Sequence, residues 1–228
     1  LPKLPFDPQR DFSWVGMLIT YPLVVTVPAD SPFKSLEELV RAAKASPRKL
    51  NYPSPGNGSL FHLATEVFSA GAGVDLTHVP FKGGGQVIVD LVAAQIQLAF
   101  LNPLGARPHI TAGRVRGVAV TTRKRAQAFP NLPAISETLP GFHVSNWYGL
   151  VAPARTPQPV IQYLYKSVVS VLTDADLLTG WKRKVRRCSV ARQKNSVYTS
   201  SMKCRCGARL SARPAFRRTE FVLRAEFH

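Results

Sequence analysis

Apolar residues at Leu36, Leu39, Val40 and Ala43 recur every three or four positions, the spacing of a helix that buries one face. Ser35 stands just before that stripe and Glu38 three residues after it, a capping-box pair, and Pro47 closes the segment. The same period returns at Leu60, Leu63, Ala64, Val67 and Phe68, in QVIVDLVAAQ from Gln86, and at Val160, Leu164, Val168 and Val171. A shorter helix follows Asn102 and reaches Ala112. Between the helices lie runs with strand character. Residues 12–27 (FSWVGMLITYPLVVTV) read as one or two strands broken near Pro22. Residues 50–52, 75–80 (DLTHVP), 96–101 (IQLAFL), 115–121 (VRGVAVT) and 144–153 (VSNWYGLVAP) read as further strands. The βαβαβαβ order predicts an α/β fold, a mostly parallel sheet with helices on both faces.

In such sheets ligands sit beyond the carboxyl ends of the strands, and three loops leave ends of that kind. The first is the turn in LNYPSPGNGSLFHLATEVF (residues 50–68), which carries Pro53, Ser54, Pro55, Gly56, Asn57 and Gly58 before Ser59 caps a helix. A helix start exposes N–H groups without internal partners and adds partial positive charge, so an anion is the natural guest. Ser54, Asn57 and His62 are candidate side-chain donors there. The second loop is Phe81-Lys82-Gly83-Gly84-Gly85, and the third opens with Asn102. A loop that needs glycine only for backbone shape gives the same local pattern; it is the convergence of three such loops that favours a binding reading.

Composition divides the chain in two. Net charge is +17, but residues 179–228 hold 14 Lys/Arg against 2 Asp/Glu, and the preceding part 16 against 11. All three cysteines (Cys188, Cys204, Cys206) lie in that basic tail. Cys204 and Cys206 lack the two-residue spacing and second ligand pair of a zinc site, so no metal is expected. No apolar run reaches the ~18 residues of a membrane span. The opening LPKLPFDPQRDF has no signal-peptide pattern and reads as the continuation of a longer chain.

The segments KLPFDPQRDFSWVG, KSLEELVRAAKASPRKLNY, GNGSLFHLATEVF, GVDLTHVPFKGG, HITAGRVRGVAVTT, FPNLPAISETLPGF and WYGLVAPARTPQPVI resemble, in order and spacing, successive blocks of the tripartite tricarboxylate transporter substrate-binding proteins (the Bug or TctC family). The resemblance covers residues 1–176. It implies a periplasmic binding protein type II-like fold, two α/β lobes joined by a hinge of two crossing strands, with the first lobe incomplete here. Residues 1–29 would end the first lobe and cross over, and 30–141 would form the second lobe. Residues 142–176 would return as the other crossing strand and a first-lobe helix, and 177–228 would be a basic tail, disordered or frameshifted. The family implies a periplasmic monomer that captures a small carboxylate, without cofactor, and delivers it to the membrane permease subunits of the transporter.

Carried over residue by residue, the resemblance makes Ser54, Gly56, Asn57, Gly58, Ser59, His62, Lys82, Gly83, Gly84 and Asn102 the candidate ligand contacts. Phe81 stands where the family's Tyr-Lys-Gly-Gly block has tyrosine, and Leu101 where an Asp usually precedes the Asn. For Lys82 a solvated side chain, and for His62 an exposed or core position, remain the plain alternatives; His78 and His109 read as structural. An enzyme is not expected, since no nucleophile elbow, P-loop or His-Glu-x-x-His pattern occurs. The alternative function is a basic interaction protein whose tail binds nucleic acid or anionic membrane. That tail has no recognised nucleic-acid module, so no specific nucleic-acid partner is expected.

Overall fold

The computed structural model describes residues 5–174. The basic tail, its cysteines and the expectations placed on 177–228 lie outside the described residues. The elements run β1 (Phe12–Pro22), β2 (Val24–Pro28), α1 (Leu36–Ala45), β3 (Asn51–Ser54), α2 (Leu60–Ala72), β4 (Thr77–Pro80) and α3 (Gly84–Val92). They continue as β5 (Ala99–Leu101), α4 (Pro103–Thr111), β6 (Val115–Val120), α5 (Ile135–Thr138), β7 (Ser145–Pro153) and α6 (Gln158–Thr173). The break near Pro22 is real, and only Leu23 separates β1 from β2.

β2 sits between β5 and β6 and pairs antiparallel with both, Val24 lying opposite Leu101 on one side and Val120 on the other. β3 and β4 pair in parallel, from Asn51 opposite Thr77 to Ser54 opposite Pro80. Asn51 ties this pair to the chain entering β5: its N–H donates to Gln97 Oε1 at 2.9 Å and its carbonyl accepts the Gln97 N–H at 3.3 Å. The antiparallel β2 departs from the mostly parallel expectation. βαβ reasoning governs strands linked by crossover helices, and β2 follows β1 with none between them.

Every residue of β2 is buried, as a strand covered on both faces must be. Its side chains alternate between two cores. Val25 and Val27 point to one with Leu36, Leu39, Tyr52, Phe68 and Phe100. Val24 points to the other with Val87, Leu91, Ala99, Leu101 and Val120. Thr26, fully buried, satisfies its hydroxyl on the Ala99 carbonyl at 2.9 Å.

Local signals set the helix ends. Ser35 Oγ accepts the Glu38 N–H at 3.3 Å, while the Glu38 carboxylate reaches one residue further than a standard capping box and accepts the Lys34 N–H at 2.6 Å. Gly73, at φ 64°, ends α2 in the left-handed conformation. The stripe read for α2 is corrected at one position: Val67 is exposed, and the buried set is Ala64, Thr65, Phe68, Ser69 and Ala72.

β1 and β7 form a separate antiparallel ribbon, Phe12 opposite Pro153 and Pro22 opposite Ser145. α6 packs on it through Ile161, Leu164 and Tyr165 against Val15, Leu150 and Ala152. Val160 and Val171, read as part of the α6 stripe, are exposed. Two adjoining faces of α6 are apolar and share Leu164, so periodicity does not choose between them. Ile19 and Tyr21 of β1 pack in the same core as Val25 and Val27, and Thr121 links the ribbon to the central sheet through hydrogen bonds. Thr121 Oγ1 accepts the Leu23 N–H at 2.8 Å, its N–H donates to the Leu23 carbonyl at 3.0 Å, and its carbonyl accepts the Val144 N–H at 2.9 Å.

Arg116 of β6 holds the connection between β2 and α1. Nη1 donates to the carbonyls of Ser31 (3.1 Å) and Phe33 (3.3 Å), and Nη2 to that of Ala29 (2.8 Å). Arg116→Leu is expected to cost about 2–3 kcal/mol, because hydrogen bonds from a charged donor are lost and half-buried carbonyls are left unpaired. A lower urea midpoint with an unchanged m-value is the check. Arg116→Lys should recover little, since an ammonium cannot reproduce the planar fork.

Candidate functional site

α2, α3 and α4 begin just beyond β3, β4 and β5, and their N-termini border one cleft. Its volume is about 230 Å³, with Pro53, Pro55 and Phe61 on one side, Gly84, Gly85 and Ile88 on another, and Leu101, Asn102 and Gly105 on the third. The three loops singled out in the sequence therefore meet in space.

The glycine loop is more self-contained than a bare anion cradle. Ser54, 1% exposed, accepts the Gly56 N–H at 3.2 Å and donates to the Gly56 carbonyl at 2.9 Å. The Gly58 N–H donates to His62 Nδ1 at 3.0 Å, the Ser59 N–H to the Gly56 carbonyl at 3.3 Å, and the His62 N–H to Ser59 Oγ at 3.4 Å. The φ of 76° at Gly58 is one that a Cβ would strain. Several of the donors expected to face an anion are thus committed within the loop.

The start of α3 differs. Gly83 caps it without a side-chain hydrogen bond, and Gly84 and Gly85 form its first turn along the cleft wall. Among the described residues, α3 alone of the three helices has no side-chain cap hydrogen bond: Ser59 caps α2, and Asn102 Oδ1 accepts the Gly105 N–H at 2.7 Å to cap α4. Lys82 is exposed and is not among the residues that line the cleft. Among the described residues no group of His, Cys, Asp and Glu is arranged to hold a metal, and no helix is long and apolar enough to cross a membrane.

The family model described as the tripartite tricarboxylate transporter family receptor (TctC) matches residues 1–180. The chain belongs to the TctC receptor family. A UPF0065 protein in the tcbD-tcbE intergenic region of Pseudomonas sp. (strain P51) is 36% identical over 184 residues, 80% of this chain and 55% of that protein. The solved structure of R. palustris Rpa4515 with adipate is 31% identical, with a TM-score of 0.75 over 81% of this chain and 62% of that one. MatC from Rhodopseudomonas palustris with bound malate is 30% identical, with a TM-score of 0.74 over 81% and 63%. The chain therefore spans about half the length of the curated relatives it matches and under two thirds of these solved structures. The fold is the α/β fold of periplasmic binding proteins, and the family is one of receptors rather than enzymes.

Against the TctC blocks, Gly84 and Asn102 line the cleft, Gly83 stands at its edge as the α3 cap, and Ser59 caps α2. Gly56, Asn57 and Gly58 form the turn beside it, while Ser54 and His62 turn toward β4 instead. His62 stacks on His78 with ring centroids 4.1 Å apart and planes 14° off parallel, and Tyr52 joins the cluster with its ring 5.0 Å from His78 and 6.3 Å from His62. His78 Nε2 lies 2.7 Å from Ser54 Oγ, and the Tyr52 hydroxyl donates to Glu66. His78, read as structural, is the residue that braces the glycine loop. Its partnership follows from the β3–β4 register, which places His78 opposite Tyr52, and no local motif encodes that register. Phe61 and Ile88 also line the cleft and were not singled out, because an apolar residue on an amphipathic helix reads as core.

Burial, and then the His62 ring, hold His78 below the ordinary histidine value, while Glu66 pulls weakly the other way. His143 is lowered too, by burial and then Arg123. A depressed value in the folded state means stability that is complete above the unfolded value near 6.5 and lost as pH falls through the folded one. The melting midpoint should therefore drop between pH 7.5 and 5, and His78→Gln should flatten part of that slope, leaving the His143 share. A midpoint independent of pH across this range would contradict the assignment.

Proposed function

We propose that this chain is the ligand-holding part of a solute receptor that captures a small carboxylate in the cleft at the starts of α2, α3 and α4. The observation that carries the reading is the uncapped α3 N-terminus, glycine at three successive positions, opening on a cleft in a TctC-family chain. Free N–H groups and the helix dipole there favour a carboxylate oxygen. Adipate and malate in two similar proteins support the same ligand class. On this reading the receptor works in the periplasm as a monomer and hands its ligand to the permease subunits of a tripartite tricarboxylate transporter. Residues 30–141 would act as one lobe, with 1–29 and 142–176 belonging to the other. The chain crosses between them at Leu23 and Val144, so Thr121 would lie at the hinge about which the lobes close.

Thermal melts with millimolar succinate, adipate, malate and citrate, at low and high salt, test this. Ligand that binds only the folded state raises the midpoint, by about 2.7 kcal/mol of stability at a hundred times Kd. A rise with at least one acid that persists at high salt is expected, because hydrogen bonds inside a cleft are screened less than surface charges. A cooperative melt that no acid moves would overturn the carboxylate assignment.

A further inference from the structure

The cleft offers a carboxylate its backbone N–H groups and offers the rest of the ligand almost nothing polar. We infer that the ligand is a carboxylate with an unsubstituted hydrocarbon body, and that a hydroxyl on that body is selected against. This ligand class rests on the carboxylate reading above and specifies what lies beyond the bound carboxylate.

The wall beyond the α3 start is built from Pro53, Phe61, Val87, Ile88, Phe100 and Leu101. Val87 and Leu101 are held in place by one core and Phe100 by the other, so this surface does not rearrange to present polar atoms. Among the described residues no charged side chain lines the cleft. Among them its one polar side chain is Asn102, whose Oδ1 accepts the Gly105 N–H at 2.7 Å, so that its amide N–H groups are the side-chain donors left to the ligand. At about 230 Å³ the space falls below the ~300–1,000 Å³ of pockets for drug-sized molecules, which suits a short chain or a single ring. A ligand hydroxyl laid against this wall gives up water without a matching acceptor. A methylene placed there gains, by roughly fourfold in Kd for each one buried.

Isothermal titration of the full chain with butyrate, pentanoate, hexanoate and 3-hydroxybutyrate decides the matter. Affinity is expected to tighten by roughly fourfold per methylene from butyrate through pentanoate to hexanoate. The hydroxy acid, which is butyrate with a hydroxyl added, is expected to bind about tenfold or more weakly than butyrate. 3-Hydroxybutyrate binding as tightly as butyrate, or affinity that is flat along the series, would overturn the hydrocarbon class and leave the carboxylate reading standing. Absence of binding by all four acids beside a melt shift with a dicarboxylate would overturn the class alone, and absence of both would take down the carboxylate reading as well. Ile88→Thr, a change on the half-buried cleft side of α3, is expected to narrow the butyrate-to-3-hydroxybutyrate ratio by fourfold or more. An unchanged ratio in a variant that melts cooperatively would also count against the class, and if the variant does not fold the wild-type series decides alone.

Discussion

Phe68→Ala is expected to lower stability by about 3–5 kcal/mol and the melting midpoint by roughly 6–20 °C. Phe68 is 1% exposed and lies at the meeting point of three segments. Its ring centroid is 5.8 Å from that of Phe100 on β5, and its edge meets Phe142, just before β7, at 6.3 Å with planes at 90°. Removing the ring costs its transfer free energy and leaves a cavity that two rigid aromatic neighbours cannot collapse into. Against a total stability of about 5–15 kcal/mol for a domain, that is a fifth or more. Val67→Ala, one position earlier and exposed, should stay within about 0.5 kcal/mol. The contrast would show on which side α2 faces the core. Equal losses at the two positions would place the helix differently from what the structure shows.

That pair of residues also marks where the sequence stops being informative. Helix starts at Ser35 and Ser59 were legible, because a cap is a contact between residues three apart and needs no tertiary knowledge. The strand–helix alternation was legible for the same reason, and collinear motif blocks added the family. The face of α6 was not: Ile161 and Val160 are both apolar, and only the β1–β7 ribbon decides which is covered. Nor was the direction of β2, since pairing between segments roughly 70–100 residues apart leaves no local mark. At the site, sequence placed the three loops together but left open which donors remain available. Ser54 and His62 carry the right chemistry for an anion, yet the first stitches the loop to itself and the second accepts the Gly58 N–H. The plainest residues, three successive glycines, are the ones that leave a helix end open.

Gly85→Asp is expected to raise the ligand-free midpoint and abolish the shift caused by any carboxylate, two effects of opposite sign from one substitution. Gly85 is the second residue of α3 and lines the cleft, and a Cβ built there meets nothing within 4 Å. Steric strain is therefore absent. A carboxylate in the first helical turn is favourable by about 0.3–1 kcal/mol, and replacing a helical glycine adds a few tenths more. The same carboxylate occupies the positive end that the ligand would use. Two like charges about 4 Å apart repel by about 4 kcal/mol at the effective dielectric of a protein surface, which corresponds to nearly a thousandfold in affinity. Gly85→Ala separates the causes: it brings the helix gain, about 0.5–1 kcal/mol, without the charge, and should keep the ligand shift. Full binding by Gly85→Asp would remove the α3 N-terminus from the anion site. Binding lost in both variants would instead mean that the ligand needs the bare glycine backbone at close approach.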